Sequence, residues 1–157
     1  MIDLLAHHPT LVPEIAKLYL PDWRTRHPGM DLDQAIKKLH EGMSKTTPPI
    51  RLVAIENNQP IGTAELRLRE HPAYPQREFW LGGVFVAEHA RGRGVASDLS
   101  YEVTKLARKL GIAQLSLQTV QLDGGLYKKL GWQPVEQTTS PPNSKMGATV
   151  LIMEHAT

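Results

Sequence analysis

The chain has 157 residues, 41% of them hydrophobic, with 18 Lys and Arg against 16 Asp and Glu and a formal net charge of +2. That length suits one domain over residues 1–157 with a sizeable core, and the near-even charge, without a long basic run, gives no support to a nucleic-acid partner. Zero cysteines exclude disulfides and cysteine nucleophiles and fit a reducing, cytoplasmic setting. Met1–Ala6 is too short for the apolar region of a signal peptide, and no apolar run reaches the ~18 residues of a membrane span.

Residues 2–6 read as a first strand. Thr10 opens a helix with Leu11, Ile15, Leu18 and Tyr19 on one side; Pro13 is tolerated in its first turn and the helix ends near Pro21. Asp31 caps a second helix whose Leu32, Ala35, Ile36 and Leu39 recur at core spacing up to Gly42. Leu52–Ile55 and Ile61–Leu68 form a hairpin around Asn57-Asn58-Gln59-Pro60. The stretch His71–Pro75 turns the chain into a strand over Phe79–Val86. Beyond it, Val95, Leu99, Val103, Leu106 and Leu110 mark one face of a long helix closed by Gly111. Leu115–Val120 alternates as a strand and Leu126–Trp132 follows. Late strands near Trp132–Gln137 and Ala148–Glu154 flank a loop from Thr138 to Gly147. This order is α+β in character, a mixed sheet with helices on its faces.

The chemistry concentrates where the strand Phe79–Val86 feeds the long helix, through Ala87-Glu88-His89-Ala90-Arg91-Gly92-Arg93-Gly94-Val95-Ala96. Small residues at 92, 94 and 96 let a ligand approach backbone N–H groups at the positive end of a helix dipole. Arg91 and Arg93 add donors suited to phosphate. The segment reads as a pyrophosphate cradle, the plain alternative being an ordinary glycine-containing loop. No Gly-x-x-x-x-Gly-Lys-Ser/Thr string exists, and Gly92-x-Gly94 lacks the third position and the strand proximity of a dinucleotide fingerprint.

Arg91-x-x-Gly94-x-Ala96 after Val84-Phe85-Val86 resembles the acyl-CoA loop of the GNAT superfamily of N-acetyltransferases. Leu126-Tyr127-Lys128-Lys129-Leu130-Gly131-Trp132 is similar to the Leu-Tyr-x-Lys-Leu-Gly-Phe signature of that family, with Trp132 in the aromatic place. The resemblance implies a central mixed sheet of about seven strands flanked by about four helices. It also implies acetyl-CoA as co-substrate, held by Val84, Phe85, Val86 and the run Arg91, Gly92, Arg93, Gly94, Val95 and Ala96. Tyr127 takes the place of the general acid, and backbone N–H groups of Val84 and Val86 that of carbonyl donors. Val120 and Asp123 depart from the pattern, standing where the family often has Asn and Ala.

Acetyl transfer from a thioester needs a neutral amine, a polarised carbonyl and a proton for the leaving thiolate. Tyr127, with an ordinary pKa of about 10, stays protonated at neutral pH and can supply that proton. Neutralising a lysine-like amine at pH 7.5 costs about 4 kcal/mol, an α-amine well under ~1 kcal/mol. Glu78, in alternation with Trp80, Gly82 and Val84, is a candidate base, or else a solvated edge carboxylate. By resemblance, the turn after the first helix and the loop from Thr138 to Gly147 line the acceptor side. There Trp23, beside Asp22, either receives an amine on its ring or anchors the helix end.

Lys128 and Lys129 read as solvated charges, although either could reach a CoA phosphate. The seven histidines show no metal-ligand spacing, so no metal is expected. The sequence therefore suggests an acetyl-CoA-dependent N-acetyltransferase acting by direct attack of a primary amine, on a small molecule or a protein. The alternatives are a transferase using another acyl-CoA and a non-catalytic acyl-CoA sensor. Neither nucleic acid nor a membrane is expected as a partner.

Overall fold

A computed structural model describes residues 1–141 and 147–157. Seven strands form one sheet in the order β1-β2-β3-β4-β5-β7-β6. They are β1 (Ile2–Leu4), β2 (Ile50–Glu56), β3 (Gln59–Leu68), β4 (Phe79–Val86), β5 (Gln114–Thr119), β6 (Gln133–Thr139) and β7 (Thr149–Ala156). Four α-helices, α1 (Val12–Arg24), α2 (Leu32–His40), α3 (Val95–Lys109) and α4 (Gly125–Lys129), accompany them among the described residues. Every strand pairing is antiparallel except β4 with β5. The sheet is thus mixed, as expected from the element order. No helix among the described residues is long and apolar enough to cross a membrane.

Local signals explain most boundaries. Asp31 accepts from the Gln34 backbone N–H at 2.8 Å while Gln34 accepts from that of Asp31 at 2.9 Å, a reciprocal cap that starts α2. Asn57 and Asn58 both have positive φ, the two-residue turn that matches strand twist, so the β2–β3 hairpin is tight. Several expectations shift. Thr10 lies in a 3₁₀ turn over Pro9–Leu11, and α1 starts at Val12 without a side-chain cap. The first strand ends at Leu4 and a 3₁₀ turn takes over at Leu5–His7. Helix α1 runs through Pro21 to Arg24 because Trp23 stacks on Tyr19, 5.0 Å between ring centroids, and holds the last turn to the core. Leu110 caps the end of α3 and is partly exposed.

The two faces of the sheet carry different chemistry. On one, Leu99, Val103 and Ala107 of α3 pack over Leu52, Ala64, Leu66, Leu81, Leu115 and Leu117, and Trp132 closes the same core. On the other, α1 and α2 cover Val53, Ile55 and Phe85, while Trp80 joins Tyr74, Val150 and Ile152 in a separate cluster. Between these two clusters lies a charged floor. Buried Arg51 donates to Glu65 at 2.9 Å, Arg67 donates to the same Glu65 oxygen at 2.7 Å, and Arg67 also reaches Glu70 at 3.3 Å.

A one-residue irregularity sets which side chains face that floor. Thr63 pairs with Phe85 and Glu65 with Gly82, so Ala64 alone opposes Gly83 and Val84. Gly83 takes φ +56°, a conformation suited to glycine in such a bulge. The bulge reverses the alternation: Leu81, Val84 and Val86 face α3, while Phe85 faces α1. The expected shared face of Gly82 and Val84 is therefore corrected, since simple alternation ignores the inserted residue. Tyr19 of α1 locks the bulge, donating to the Gly83 carbonyl at 2.9 Å and bonding Thr63 Oγ1.

Removing one partner of a buried ion pair strands the other charge, at a typical cost of about 3–5 kcal/mol. Glu65→Ala strands Arg51 and half of the contacts of Arg67. A loss of that size is expected in the unfolding free energy from urea titration, with a lower midpoint, and an unchanged midpoint would show that the two arginines are solvated rather than paired.

Candidate active site

Strands β4 and β5 are in register at Trp80 and Ser116 and share no further ladder among the described residues. Beyond that pair the sheet opens. A cavity of about 220 Å³ occupies the gap, with Gly82, Gly83, Val84 and Phe85 on one wall and Leu117, Gln118 and Tyr127 on the other. Towards α3, Val84 and Phe85 are also walls of a groove of about 690 Å³. Towards α1 and α2, Trp23, Arg51, Arg67, Glu70 and Gln118 are shared with a hollow of about 480 Å³. The gap in the sheet thus lies between two chambers, one on each face.

The groove is built for an anion. Gly94 is the N-cap of α3 with φ +84°, and Gly92 has φ +73°. A Cβ at either would meet nothing within 4 Å, so backbone conformation and open access, not crowding, favour glycine there. The first turn of α3 presents N–H groups that have no partner inside the helix. Val95, Ala96 and Ser97 line the groove with Arg91 and Lys129, and no acidic side chain lines it among the described residues. Arg91 stays at the mouth because its Nε donates to the Val86 carbonyl at 3.1 Å. Arg93, expected in the cradle, lies outside this lining: both terminal nitrogens bond Glu56. Lys129 lines the groove in its stead, while Lys128 does not.

Tyr127, half-buried on α4, stands edge-on to Trp132 with ring centroids 6.2 Å apart. Burial, and secondarily the negative charge of Glu70, push its phenol above the ordinary tyrosine value. Asp123 accepts from the Gly125 N–H at 2.9 Å and starts the short helix, a local role for one departure from the family pattern. Across the gap, Glu70 Oε1 accepts from Arg67 and from Gln118 Nε2 at 3.2 Å. Its Oε2 has no hydrogen-bond partner. A Cβ on Gly82 would lie 2.4 Å from that oxygen, so glycine at 82 is what leaves room for the carboxylate.

Glu70 was not singled out by the sequence. The signal for it was the Gly82-Gly83 pair inside a strand, which marks a bulge or a close approach. Glu78 lies outside all three linings; its exposed carboxylate pairs with Arg69 at 3.4 Å at the opposite end of β4 from the gap. Asp22 lines the gap and pairs with Arg26 at 3.0 Å. Trp23 is buried, anchors α1 on Tyr19, and carries Lys38 Nζ 5.2 Å from its ring centroid. The cation on that ring is therefore the protein's own. Of the expected acceptor loop, residues 142–146 lie outside the described residues.

The sequence profile of the Acetyltransferase (GNAT) family matches residues 12–132. The chain belongs to this family. Solved structures agree in fold across the whole chain at low identity. One is aminoglycoside 6'-acetyltransferase type Ii (17% identity, TM-score 0.75, 99% of this chain and 96% of that one). Another is ribosomal-protein-alanine N-acetyltransferase from Brucella melitensis (18%, TM-score 0.75, 100% and 99%). A third is yncA from Salmonella typhimurium with its cofactor acetyl-CoA (16%, TM-score 0.74, 99% and 92%). No curated protein matches the chain by sequence.

Within this GNAT domain the Tyr127 environment is directly measurable. The difference between wild-type and Tyr127→Phe in phenolate absorbance against pH should show Tyr127 ionising above the ordinary value of about 10. Glu70→Gln removes the electrostatic cause but not burial, so the midpoint should fall part of the way back. A midpoint unmoved by Glu70→Gln would mean that the two groups do not interact.

Proposed function

We propose that this GNAT domain is an acetyl-CoA-dependent N-acetyltransferase of primary amines, with Tyr127 as general acid and Glu70 as the base. One observation carries the reading: an acid-free groove at the α3 N-terminus shares its β4 wall with a gap flanked by Tyr127 and Glu70. The groove suits the phosphates of a coenzyme A ester, with Arg91, Lys129 and the N–H groups of Val95, Ala96 and Ser97 as holders. The gap suits its narrow arm. Acetyl-CoA, when bound, supplies a thioester whose carbonyl carbon accepts the amine.

The remaining work falls to the protein. Backbone N–H groups on the β4 edge opened by the splay, those of Val84 and Val86, polarise the carbonyl oxygen. The amine nitrogen bonds to the carbonyl carbon as the carbon–sulfur bond breaks. Glu70 Oε2 takes the amine proton and Tyr127 gives its own to the departing sulfur, after which exchange with solvent resets both groups. A phenol held above its ordinary pKa is a donor that never ionises prematurely at neutral pH. Glu78, paired with Arg69 away from the gap, has no part in this scheme.

Two measurements test it. Acetyl-CoA at a hundredfold excess over Kd should stabilise the fold by about 2.7 kcal/mol, NAD and ATP much less, and Gly94→Val should abolish the shift by forcing a β-branched residue into φ +84°. Equal shifts with NAD would point instead to a dinucleotide site. Tyr127→Phe should lower kcat about 10²–10⁴-fold with little change in acetyl-CoA affinity. Wild-type turnover in that variant would remove Tyr127 from the chemistry.

A further inference from the structure

We infer that the acceptor is a primary amine carrying an anionic group, a carboxylate or a phosphate. Its nitrogen lies on Glu70 and Gln118 and its anion on Arg51 and Lys38. The inference deepens the transferase reading and rests on it. It starts from hydrogen-bond groups that the protein leaves unanswered on both sides of one hollow.

Arg51 is 2% exposed and lines the hollow under α1 and α2. One of its nitrogens bonds Glu65, while Nε and Nη1 have no hydrogen-bond partner. Buried donors in folded proteins are nearly always satisfied, so two orphaned nitrogens on one guanidinium point to a partner supplied from outside. The opposite need sits at the β4 end. Glu70 Oε2 and Gln118 Oε1, both acceptors, are equally without partners. An ammonium or amine answers the second pair and an anion answers the first.

The balance of charge agrees. Five lysine and arginine side chains line the hollow against three glutamates. Arg26 and Arg69 have acids of their own in Asp22 and Glu78. Glu65 is shared between Arg51 and Arg67, and Glu70 between Arg67 and Gln118. Glu41, the third glutamate of the lining, acts on Lys38 without a direct ion pair, so the cation whose donors stay unanswered is Arg51, with Lys38 beside it. Lys38 has no ion pair among the described residues, and burial together with Arg67, Arg26 and Arg51 lowers its pKa. A polycation entering here leaves the Arg51 donors orphaned. A neutral amine satisfies one end of the hollow only.

Order along the floor fixes which end of the acceptor goes where. The chain of contacts runs Arg51, Glu65, Arg67, Glu70. Glu70 lies against Gly82 at the gap, and Arg51 lies at the other end of this chain of contacts, its guanidinium carbon 5.9 Å from the Tyr19 ring centroid, where it too borders the gap. The nitrogen is thus presented to Glu70 and the anion to Arg51, at opposite ends of that chain of contacts.

The test is thiol release from acetyl-CoA with matched amines. 3-Aminopropanoate, glycylglycine and 2-aminoethyl phosphate are set against propylamine, spermidine and the polycation kanamycin. At least one anionic amine should exceed the neutral and polycationic ones in kcat/KM by tenfold or more, and the better class identifies carboxylate or phosphate. Lys38→Glu should raise the KM of that amine tenfold or more and erase its advantage over spermidine, while the KM for acetyl-CoA stays unchanged. The same compounds should raise the Tm of the CoA-bound wild-type protein, and fail to do so in Lys38→Glu.

Propylamine, spermidine or kanamycin matching the anionic amines overturns the inference while leaving an acetyltransferase in place. So does a preference that survives Lys38→Glu, or an absence of any Tm increment from the anionic amines. No Tm shift with acetyl-CoA itself overturns the transferase reading, and this inference with it.

Discussion

The single extra residue in β4 governs the rest of the site. A strand paired on both edges has no backbone to offer a ligand and no space beside it. Gly83 and Val84 opposite Ala64 bend β4, and its ladder with β5 ends after Trp80 and Ser116. The gap, its exposed backbone edge and the altered side-chain alternation are all consequences of that bulge. Its conformation is held rather than merely allowed, because Tyr19 reaches from α1 to the Gly83 carbonyl and to Thr63. Phe85 and Trp23 both pack against the same ring, so the helix that closes the core also fixes the cleft wall. Fold and site are joined at one tyrosine.

The charged floor is the second constraint and is the costlier one. Arg51 and Glu65 occupy sheet positions that hydrophobic residues would fill with better stability, since burying ions requires stripping their water. What the arrangement supplies is orientation. Glu65 holds two guanidinium groups, Arg67 holds Glu70, and Glu70 is left with one free oxygen at the gap. A carboxylate fixed in this way needs no reorganisation when a substrate arrives. Glycine at 82 completes the device by subtraction, because any side chain there would displace the carboxylate.

Much of this was legible in the residues. The 3.6-residue stripe of α3, the capping pair at Asp31 and Gln34, the two-asparagine turn and the glycines of the cradle are local patterns, and local patterns survive translation into structure. Tyr127 was legible as part of a contiguous signature. The floor was not, because Arg51, Glu65 and Arg67 come from β2 and β3 and appear in sequence as ordinary strand charges. Glu78 and Arg93 lie outside the linings for a related reason. Their residue types suited the roles, yet Arg69 and Glu56 were nearer partners. The bulge misled the face assignment of Val84, as any one-residue slip in a period-two pattern must.

In the proposed reaction, acid and base are tied to each other by more than proximity. Proton transfer in opposite senses requires two groups whose environments drive their ionisation apart. Burial at α4 already disfavours a charged Tyr127, and the negative charge of Glu70 across the gap disfavours it further. Glu70 in turn is held in place by Arg67 and by Gln118. The carboxylate proposed to receive a proton therefore also keeps the proposed donor protonated. Once Glu70 is neutralised by the amine's proton, one of the two causes holding Tyr127 protonated is gone. In the proposed scheme, deprotonation of the amine thus eases release of the phenolic proton to sulfur, and the two transfers reinforce each other through the electrostatics of a single gap in the sheet.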